Sequence, residues 1–298
     1  MSEIRNEKPL PFRGGVGVGD VPTCTVGAGG QAPPPPPTPP LKGRGALGVQ
    51  NLAIARRLQP LTAELHPGEV TAICGPNGAG KSSLLAALAG LLVPDAGTVT
   101  LGDAPLAGMP PRERARAIGY LPQAPEVAWD MTVEVLVRLG RLPWQGAPLH
   151  RAHASPAEDA AAVEAALATM DLSAFRQRAV SHLSGGEAAR AQVARVLAGA
   201  PRWLLADEPL ANLDLAHAAA LVGTLRAEAR AGRGVVLVLH DLAMAMNHAD
   251  RVLVLRQGAL IADGPPQQAL SADTVAQVWG VKARWLGEPG SMALALEG

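Results

Sequence analysis

The sequence has few aromatic residues, only two cysteines and no net charge. Phe, Trp and Tyr make up 3% of its 298 residues, and the formal charge at pH 7 is zero. It contains neither a basic run nor a series of aromatic side chains on which single-stranded nucleic acid could stack, so we expect no nucleic-acid partner. Cys24 and Cys74 are too few and too far apart for a disulfide framework or a zinc site. We therefore expect both to be free thiols.

Long apolar runs are also missing. The longest run of Val, Leu and Ile alone, Val235 to Leu239, is far shorter than the roughly 20 residues that a membrane-spanning helix needs. The N-terminus lacks the apolar core of a signal peptide. The length and the 48% hydrophobic content are sufficient for a buried core. We therefore expect a globular chain in the cytoplasm.

The first 45 residues differ in composition from the rest of the chain. They contain ten prolines and nine glycines and show neither a helical nor a strand period. We predict a disordered tail over residues 1–45 and a folded domain over residues 46–290. Two explanations of the tail stay open, an ordinary Pro/Gly linker and a translated intergenic repeat with the native start near Leu47 or Val49.

A phosphate-binding loop is the clearest motif in the folded part. GEVTAICGPNGAGKSSLLAALAG predicts a buried strand from Val70 to Cys74, a glycine-rich loop and a helix that runs to about Leu91. The loop fits the pattern G-x-x-x-x-G-K-[ST], in which backbone N–H groups and a helix N-terminus surround phosphate oxygens. The predicted nucleotide-binding residues are Gly75, Pro76, Asn77, Gly78, Ala79, Gly80, Lys81, Ser82 and Ser83. Lys81 is expected on the β- and γ-phosphates and Ser82 on Mg²⁺.

Two later strands end in residues that suit nucleotide hydrolysis. PRWLLADEP predicts an apolar strand that ends at Asp207 and Glu208, at the edge of the sheet where α/β folds bind their ligands. Adjacent acids make sense there if they divide the work, with Asp207 near Mg²⁺ and Glu208 polarising the attacking water. GVVLVLHD predicts a second buried strand that ends at His240 and Asp241, and His240 could sense a γ-phosphate through a hydrogen bond.

Residues 183–190, LSGGEAAR, resemble a second anion site a hundred residues after the first. One nucleotide does not need two such sites from one chain, so the pattern has two interpretations. Ser184 followed by Glu187 is a capping box at the start of a helix that continues to about Leu197. An N-cap is also an anion site, so a cap and a phosphate site can coexist there.

Six short motifs in this order resemble those of the nucleotide-binding subunit of ABC transporters, over about residues 47–285. They are GPNGAGKSS (Walker A), YLPQ with Gln123 (Q-loop), LSGGE (signature), LLADEP (Walker B), ANLD with Asp214 (D-loop) and LHD with His240 (switch). The resemblance implies an α/β fold: a P-loop NTPase core with a parallel sheet flanked by helices, an N-terminal antiparallel β subdomain, and a helical subdomain over about residues 130–200 that contains the signature.

The resemblance also implies the site and its partners. The expected cofactors are ATP and Mg²⁺, with Glu208, His240 and Gln123 as catalytic residues and with Ser82, Gln123 and Asp207 near the metal ion. Two subunits would pack head to tail, so that Ser184, Gly185 and Gly186 of one act on the ATP of the other. Glu187 and Asp214 are further predicted nucleotide-binding residues. This homodimer would drive two transmembrane permease subunits, and through them a substrate-binding protein, from the cytoplasmic face of the inner membrane.

A weaker pattern suggests the transported substrate. Gly140, Arg141 and Pro143 resemble a stretch found in the ATPases of importers of iron–siderophore, haem and cobalamin. Importers of zinc, manganese or another substrate, and an accessory ATPase of iron–sulfur assembly, stay open as alternatives. Chromosome-maintenance ATPases are disfavoured because no sustained heptad pattern lies between Gln123 and Ser184. Ribosome-associated relatives are disfavoured because they carry two nucleotide domains, whereas each motif occurs once here.

The sequence departs from the family in one respect that concerns ATP. Many relatives place an aromatic residue ahead of the phosphate loop to stack on adenine, and this chain offers only Arg56 or Arg57 there. Loss of base stacking weakens binding unless a guanidinium plane replaces it in part. Trp129 and Met131, near the Q-loop, have two open interpretations, a contact for the permease and local core.

Overall fold

The computed structural model describes residues 45–123, 130–146, 154–211 and 213–297. Residues 1–44 of the predicted tail and Trp129 lie outside these ranges. The strands are β1 (Leu47–Ile54), β2 (Leu58–Leu65), β3 (Val70–Cys74), β4 (Ala96–Leu101), β5 (Ala104–Pro105), β6 (Ile118–Leu121), β7 (Trp203–Asp207), β8 (Gly234–Val238), β9 (Arg251–Arg256), β10 (Ala259–Gly264), β11 (Ala283–Leu286) and β12 (Ala293–Leu296). The helices are α1 (Lys81–Leu88), α2 (Pro111–Ala117), α3 (Val133–Arg138), α4 (Pro156–Thr169), α5 (Gly185–Ala198), α6 (Leu215–Arg230), α7 (Leu242–His248), α8 (Pro266–Ala269) and α9 (Ala272–Trp279).

A six-stranded sheet in the order β10-β9-β3-β8-β7-β6 forms the centre. All neighbouring pairs are parallel except β9 and β10. The runs VTAIC, WLLAD and GVVLV are buried at every position, as expected for parallel strands covered on both faces. This arrangement brings the ends of β3, β7 and β8 to one edge of the sheet, where the phosphate loop, Glu208 and His240 follow.

Side-chain alternation along β3 separates two hydrophobic cores. Ala72 and Cys74 pack with the helical residues of one core, while Ile73 between them packs with the other core. The second core also contains the apolar face of an antiparallel sheet in the order β2-β1-β4-β5. Cys74 is fully buried, and burial raises the pKa of its thiol to about 12.

A helical segment lies between β6 and β7 and contains α3, α4 and α5, with short 3-10 turns between them. Buried residues of all three helices, such as Leu136, Leu167 and Ala194, belong to the core that also holds Ala72. Met131 is half-buried and packs against this core, which supports its interpretation as local core. Within the described ranges, no helix is long and apolar enough to cross a membrane.

Two boundaries differ from the sequence predictions. Helix α1 ends at Leu88 rather than near Leu91, because the N–H of Gly90 bonds Ala87 O and the N–H of Leu91 bonds Ala86 O. Gly90 has a φ of 68°, which completes a Schellman-type stop that glycine favours. At the other end, β12 pairs with β11 beyond residue 290, the predicted limit of the domain.

Candidate active site

The phosphate loop is fixed by two neighbouring turns. Gly80 has a φ of 98°, and a Cβ atom there would lie 2.5 Å from Leu58 Cδ2 and 2.7 Å from the carbonyl oxygen of Arg57. A Cβ atom on Gly258, in the β9–β10 turn, would lie 2.8 Å from the same oxygen, and the N–H of Gly258 bonds Ala79 O at 3.1 Å. Only glycine allows these backbones to approach so closely. The phosphate loop, the β1–β2 turn and the β9–β10 turn therefore form one packed unit.

Lys81 begins helix α1 and points back into the loop. Its ammonium donates hydrogen bonds to Gly75 O at 2.9 Å and Pro76 O at 3.0 Å, and the residue is buried. Burial lowers its pKa, while the charge of Glu208 acts in the opposite direction. The loop thus places one cation at the point where its backbone N–H groups can surround a phosphate.

Asp207 lies under this loop at the end of β7. It is 4% exposed, and its Oδ1 atom is buried without a hydrogen-bond partner among the described residues. Burial raises its pKa, and a hydrogen bond with Ser82 and the charge of Lys81 act against that shift. A buried carboxylate oxygen with an unused acceptor position, next to the Ser82 hydroxyl, suits a divalent cation with oxygen ligands.

Glu208 joins two other segments of the chain. Its Oε2 accepts a hydrogen bond of 2.7 Å from the Gln123 side-chain amide, and its Oε1 contacts Nε2 of His240. Glu208 has a φ of 52°, a left-handed conformation that costs energy for a residue with a side chain and that often marks functional positions. The three predicted catalytic residues therefore meet at one carboxylate.

A cavity of about 620 Å³ opens in front of these groups. Its described lining consists of Arg56, Arg57, Asn77, Gly78, Ala79, Gly80, Lys81, Ser82, Ser83, Gln123, Glu208 and His240. Gly75 and Pro76 contribute through their carbonyl bonds to Lys81. Among the described residues of the lining there is no Phe, Trp or Tyr, and the two arginines lie on the turn between β1 and β2.

The Ser184 pattern forms the predicted capping box and lies apart from this cavity. Ser184 Oγ accepts from the N–H of Glu187 at 3.2 Å, and the Glu187 carboxylate accepts from the N–H of Ser184 at 2.7 Å. Hydrogen bonding to Ser184 lowers the pKa of Glu187. Ser184 and Gly185 are exposed, and neither they nor Gly186 and Glu187 are among the residues that line the cavity.

A second capping box shows what is special about the first. Ser155 and Glu158 cap helix α4 with the same pair of bonds, but the helix continues with Pro156, which has no N–H group. Helix α5 starts instead with two glycines. A Cβ atom on Gly185 would meet nothing within 4 Å, so its backbone is open to an approaching group. The local motif is the same, but α5 has a backbone N–H at its first helical position, where α4 has a proline.

Comparison with known proteins decides the family. The sequence profile of ABC transporters matches residues 58–211, which is just over half of the chain. The chain belongs to the ABC transporter family. The predicted ABC ATPase and its α/β fold are confirmed.

Relatives and solved structures resemble this ABC ATPase over most of its length. It is 41% identical over 249 residues to the hemin import ATP-binding protein HmuV of Myxococcus xanthus, covering 80% of this chain and 91% of that protein. It is 42% identical over 261 residues to the protein of the same name from Nocardia farcinica, covering 85% and 88%. A solved ATP binding subunit of an ABC transporter is 25% identical with a TM-score of 0.65, covering 79% of this chain and 94% of that one.

Asp214, the predicted D-loop residue, also lies outside the cavity lining. It is the N-cap of α6: Oδ1 accepts from the N–H of His217 at 2.8 Å, and Oδ2 lies 2.8 Å from His217 Nδ1. These bonds lower the pKa of Asp214. The sequence analysis did not single out His217. Its position three residues after the N-cap could have indicated a side-chain contact with Asp214. Leu215 beside it is 92% exposed.

Proposed function

We propose that this ABC ATPase hydrolyses ATP to power the uptake of an iron complex, and of haem in the first place. The observation that carries the hydrolysis is the Glu208 carboxylate, held by Gln123 and His240 at the mouth of a phosphate loop. Support for the substrate comes from two relatives about 40% identical to the chain, both named hemin import ATP-binding proteins.

Each residue has a defined part in this proposal. Lys81 and the loop N–H groups hold the β- and γ-phosphates, and Glu208 accepts a hydrogen bond from the attacking water. His240, which follows β8, orients the γ-phosphate through a hydrogen bond. Each Glu208 oxygen has a second acceptor position, so the carboxylate can engage the water while it keeps its contacts with Gln123 and His240.

Ser82, Asp207 and Gln123 are the residues that would hold Mg²⁺. The unpartnered Oδ1 of Asp207 fits a cation ligand. Gln123 donates a hydrogen bond to Glu208 through its side-chain nitrogen, so the side-chain oxygen of Gln123 remains an acceptor. When bound, the ion would neutralise charge on the phosphate oxygens as they react. Within the described ranges no three His, Cys, Asp or Glu residues form a metal site alone, in keeping with an ion that arrives with ATP.

We further propose a head-to-tail homodimer in which the helix α5 N-terminus acts on the ATP of the partner subunit. The exposed Ser184 and Gly185 lie outside the cavity of their own chain. Ser184 Oγ accepts the capping hydrogen bond, and its hydroxyl proton can still be donated to a phosphate. The exposed Leu215 next to Asp214 suits burial in the same interface. ATP binding would then close the dimer, and hydrolysis would open it.

Two permease subunits would dock on the helical segment from the membrane side. Helix α3 buries Val133, Leu136 and Val137, but Val135 on it and Leu139 and Leu142 in the following turn stay exposed. This apolar surface begins shortly after Gln123 in the chain, so a permease bound there could move the Q-loop. The chain would therefore act at the cytoplasmic face of the inner membrane, and a substrate-binding protein would deliver its cargo to the permease.

The transport proposal is tested in vesicles that contain the chain with the permease that co-purifies with it. We expect the haem-loaded binding protein to stimulate ATP hydrolysis and haem to accumulate on the far side, while Glu208→Gln abolishes both. Ferric siderophore, cobalamin and zinc serve as comparison substrates. Stimulation by zinc alone, or co-purification with a soluble iron–sulfur scaffold in place of a permease, would overturn the proposed role.

We also propose that Arg56 and Arg57 hold the nucleotide base. Stacking of a guanidinium on an aromatic ring at an exposed site gains about 0.5–1 kcal/mol, so Arg56→Ala or Arg57→Ala should weaken ATP binding about 2- to 5-fold. Tripolyphosphate lacks a base and should bind with unchanged affinity. Calorimetric titration with both ligands measures the difference, with the exposed Arg230→Ala as a control for net charge. An equal loss for both ligands would mean that the arginines contact phosphates instead.

A further inference from the structure

The 3-10 turn Leu139–Trp144 packs directly on the C-terminal end of helix α5. A Cβ atom on Gly140 would lie 1.9 Å from the carbonyl oxygen of Arg195, so the two backbones touch and no other residue fits. A Cβ atom on Gly199, just after the helix, would lie 3.1 Å from Gly140 O. The Leu139–Trp144 segment and the C-terminal end of α5 are therefore in direct backbone contact, which fixes the distance between them.

Arg141 ties this end of the helix to a second helix. It is 5% exposed, its Nε donates to Asp159 Oδ1 at 2.7 Å, and its Nη1 donates to Ala198 O at 3.0 Å. Ala198 O is one of the last carbonyls of α5, which have no partner within the helix and favour a cation. The planar guanidinium can meet the carboxylate of α4 and the carbonyl of α5 at fixed angles, which a lysine ammonium cannot do.

Trp144 extends the contact to the central sheet. Its indole N–H donates to Gly199 O at 2.8 Å, and the guanidinium groups of Arg141 and Arg116 lie 5.1 Å and 5.0 Å from the ring centroid. Arg116 also donates to Pro143 O at 2.8 Å. Arg116 belongs to α2, which leads into β6 and then to Gln123. The C-terminal end of α5 is thereby joined to the strand that precedes the Q-loop.

The other end of α5 carries Ser184, Gly185 and Gly186. The helix has 14 residues and is therefore about 21 Å long. A tilt of only about 3° at one end moves the other end by about 1 Å, an error that can reduce a reaction rate about 100-fold when it misplaces a group at the reacting centre.

We infer that Arg141 is a positioning residue for hydrolysis at the partner's ATP: by fixing the C-terminal end of α5 to α4 and the α2–β6 segment, it aims the Ser184–Gly186 end. This inference rests on the proposed action of α5 across the dimer. The group that Arg141 acts on is the helix, since Arg141 is not among the residues that line the ATP cavity of its own chain.

The test compares Arg141→Gln with Arg138→Gln in the full chain. Arg138 lies three residues earlier, is exposed and pairs with Glu134, so it controls for loss of an arginine and an ion pair. We expect Arg141→Gln to lower kcat about 10- to 100-fold while the affinity of the isolated chain for ATP changes less than about twofold. A kcat equal to that of Arg138→Gln, or a loss of ATP affinity that accounts for the whole effect, would overturn the inference.

A milder variant covers the case in which Arg141→Gln does not fold. Trp144→Phe keeps an aromatic ring but removes the indole N–H that bonds Gly199 O together with the second ring, so we expect only a modest loss of thermal stability at this half-buried position. We expect kcat to fall about 2- to 10-fold with an unchanged KM. An unchanged kcat in a well-folded Trp144→Phe protein would contradict the positioning role.

A dimerisation assay separates this inference from the proposed function. In the Glu208→Gln background, we expect ATP to dimerise the chain when Arg141 is intact. The double variant with Arg141→Gln should stay monomeric or need at least tenfold more ATP to dimerise. If the Glu208→Gln protein with Arg141 intact stays monomeric with ATP, the proposed shared site is wrong. If both dimerise equally, the shared site stands and the positioning role of Arg141 is wrong.

Discussion

Glu208→Gln lowers the rate of ATP hydrolysis about 10²- to 10⁴-fold and leaves ATP binding intact, as expected for loss of a general base. Glutamine has the shape of glutamate, so the contacts with Gln123 and His240 can persist in part. The amide nevertheless cannot take a proton from water. The loss should therefore fall on kcat, with little change in KM.

The measurement is phosphate release at saturating Mg·ATP, together with a binding titration on the same protein. Glu64→Gln is a suitable control, because Glu64 is exposed on β2 and only its backbone oxygen takes part in a described hydrogen bond. Near-normal hydrolysis by Glu208→Gln would refute the role of this carboxylate. A parallel loss of ATP affinity would instead indicate damage to the phosphate loop.

Ser184→Arg is expected to block ATP-driven dimerisation and to lower hydrolysis about 10²- to 10³-fold, the effect of losing a donor aimed at the reacting phosphate. The large cation would occupy the space next to Gly185, which is open in the single chain. ATP binding by the monomer should not change, because Ser184 does not line the cavity of its own chain.

Ser155→Arg is the matched control for that variant. It removes the same kind of N-cap from α4, with a stability cost of about 1 kcal/mol in both cases, but it lies at a helix that begins with proline. We expect it to hydrolyse ATP and dimerise normally. If Ser184→Arg abolished ATP binding by the monomer, or if both variants lost dimerisation alike, the assignment of Ser184 to the partner's nucleotide would fail. Light scattering with and without Mg·ATP measures the oligomeric state.

The sequence predicted the local motifs well because each depends on a few neighbouring residues. A glycine-rich loop between a buried strand and a helix, and a serine three residues before a glutamate, are determined by short-range chemistry. The structure forms the loop ahead of Lys81 and the capping box at Ser184 as predicted.

What the sequence could not predict depends on segments that are far apart in the chain. Glu208 meets residues 85 positions before it and 32 positions after it, and its left-handed backbone follows from that packing, not from its own preference. Likewise, Gly140, Arg141 and Pro143 were recognisable as a family pattern, but their contacts with the end of α5 required the tertiary arrangement.

The packing around Gly80 has a consequence for the thermodynamics of nucleotide binding. The turn that carries Arg56 and Arg57 and the loop that surrounds the phosphates are held together before ATP arrives, through backbone contacts of Gly80 and Gly258. Parts that are already ordered lose little conformational entropy on binding, so more of their contact energy remains as affinity. The same rigidity means that this half of the site changes shape little during turnover. For the proposed cycle, we therefore expect the larger movement in the helical segment.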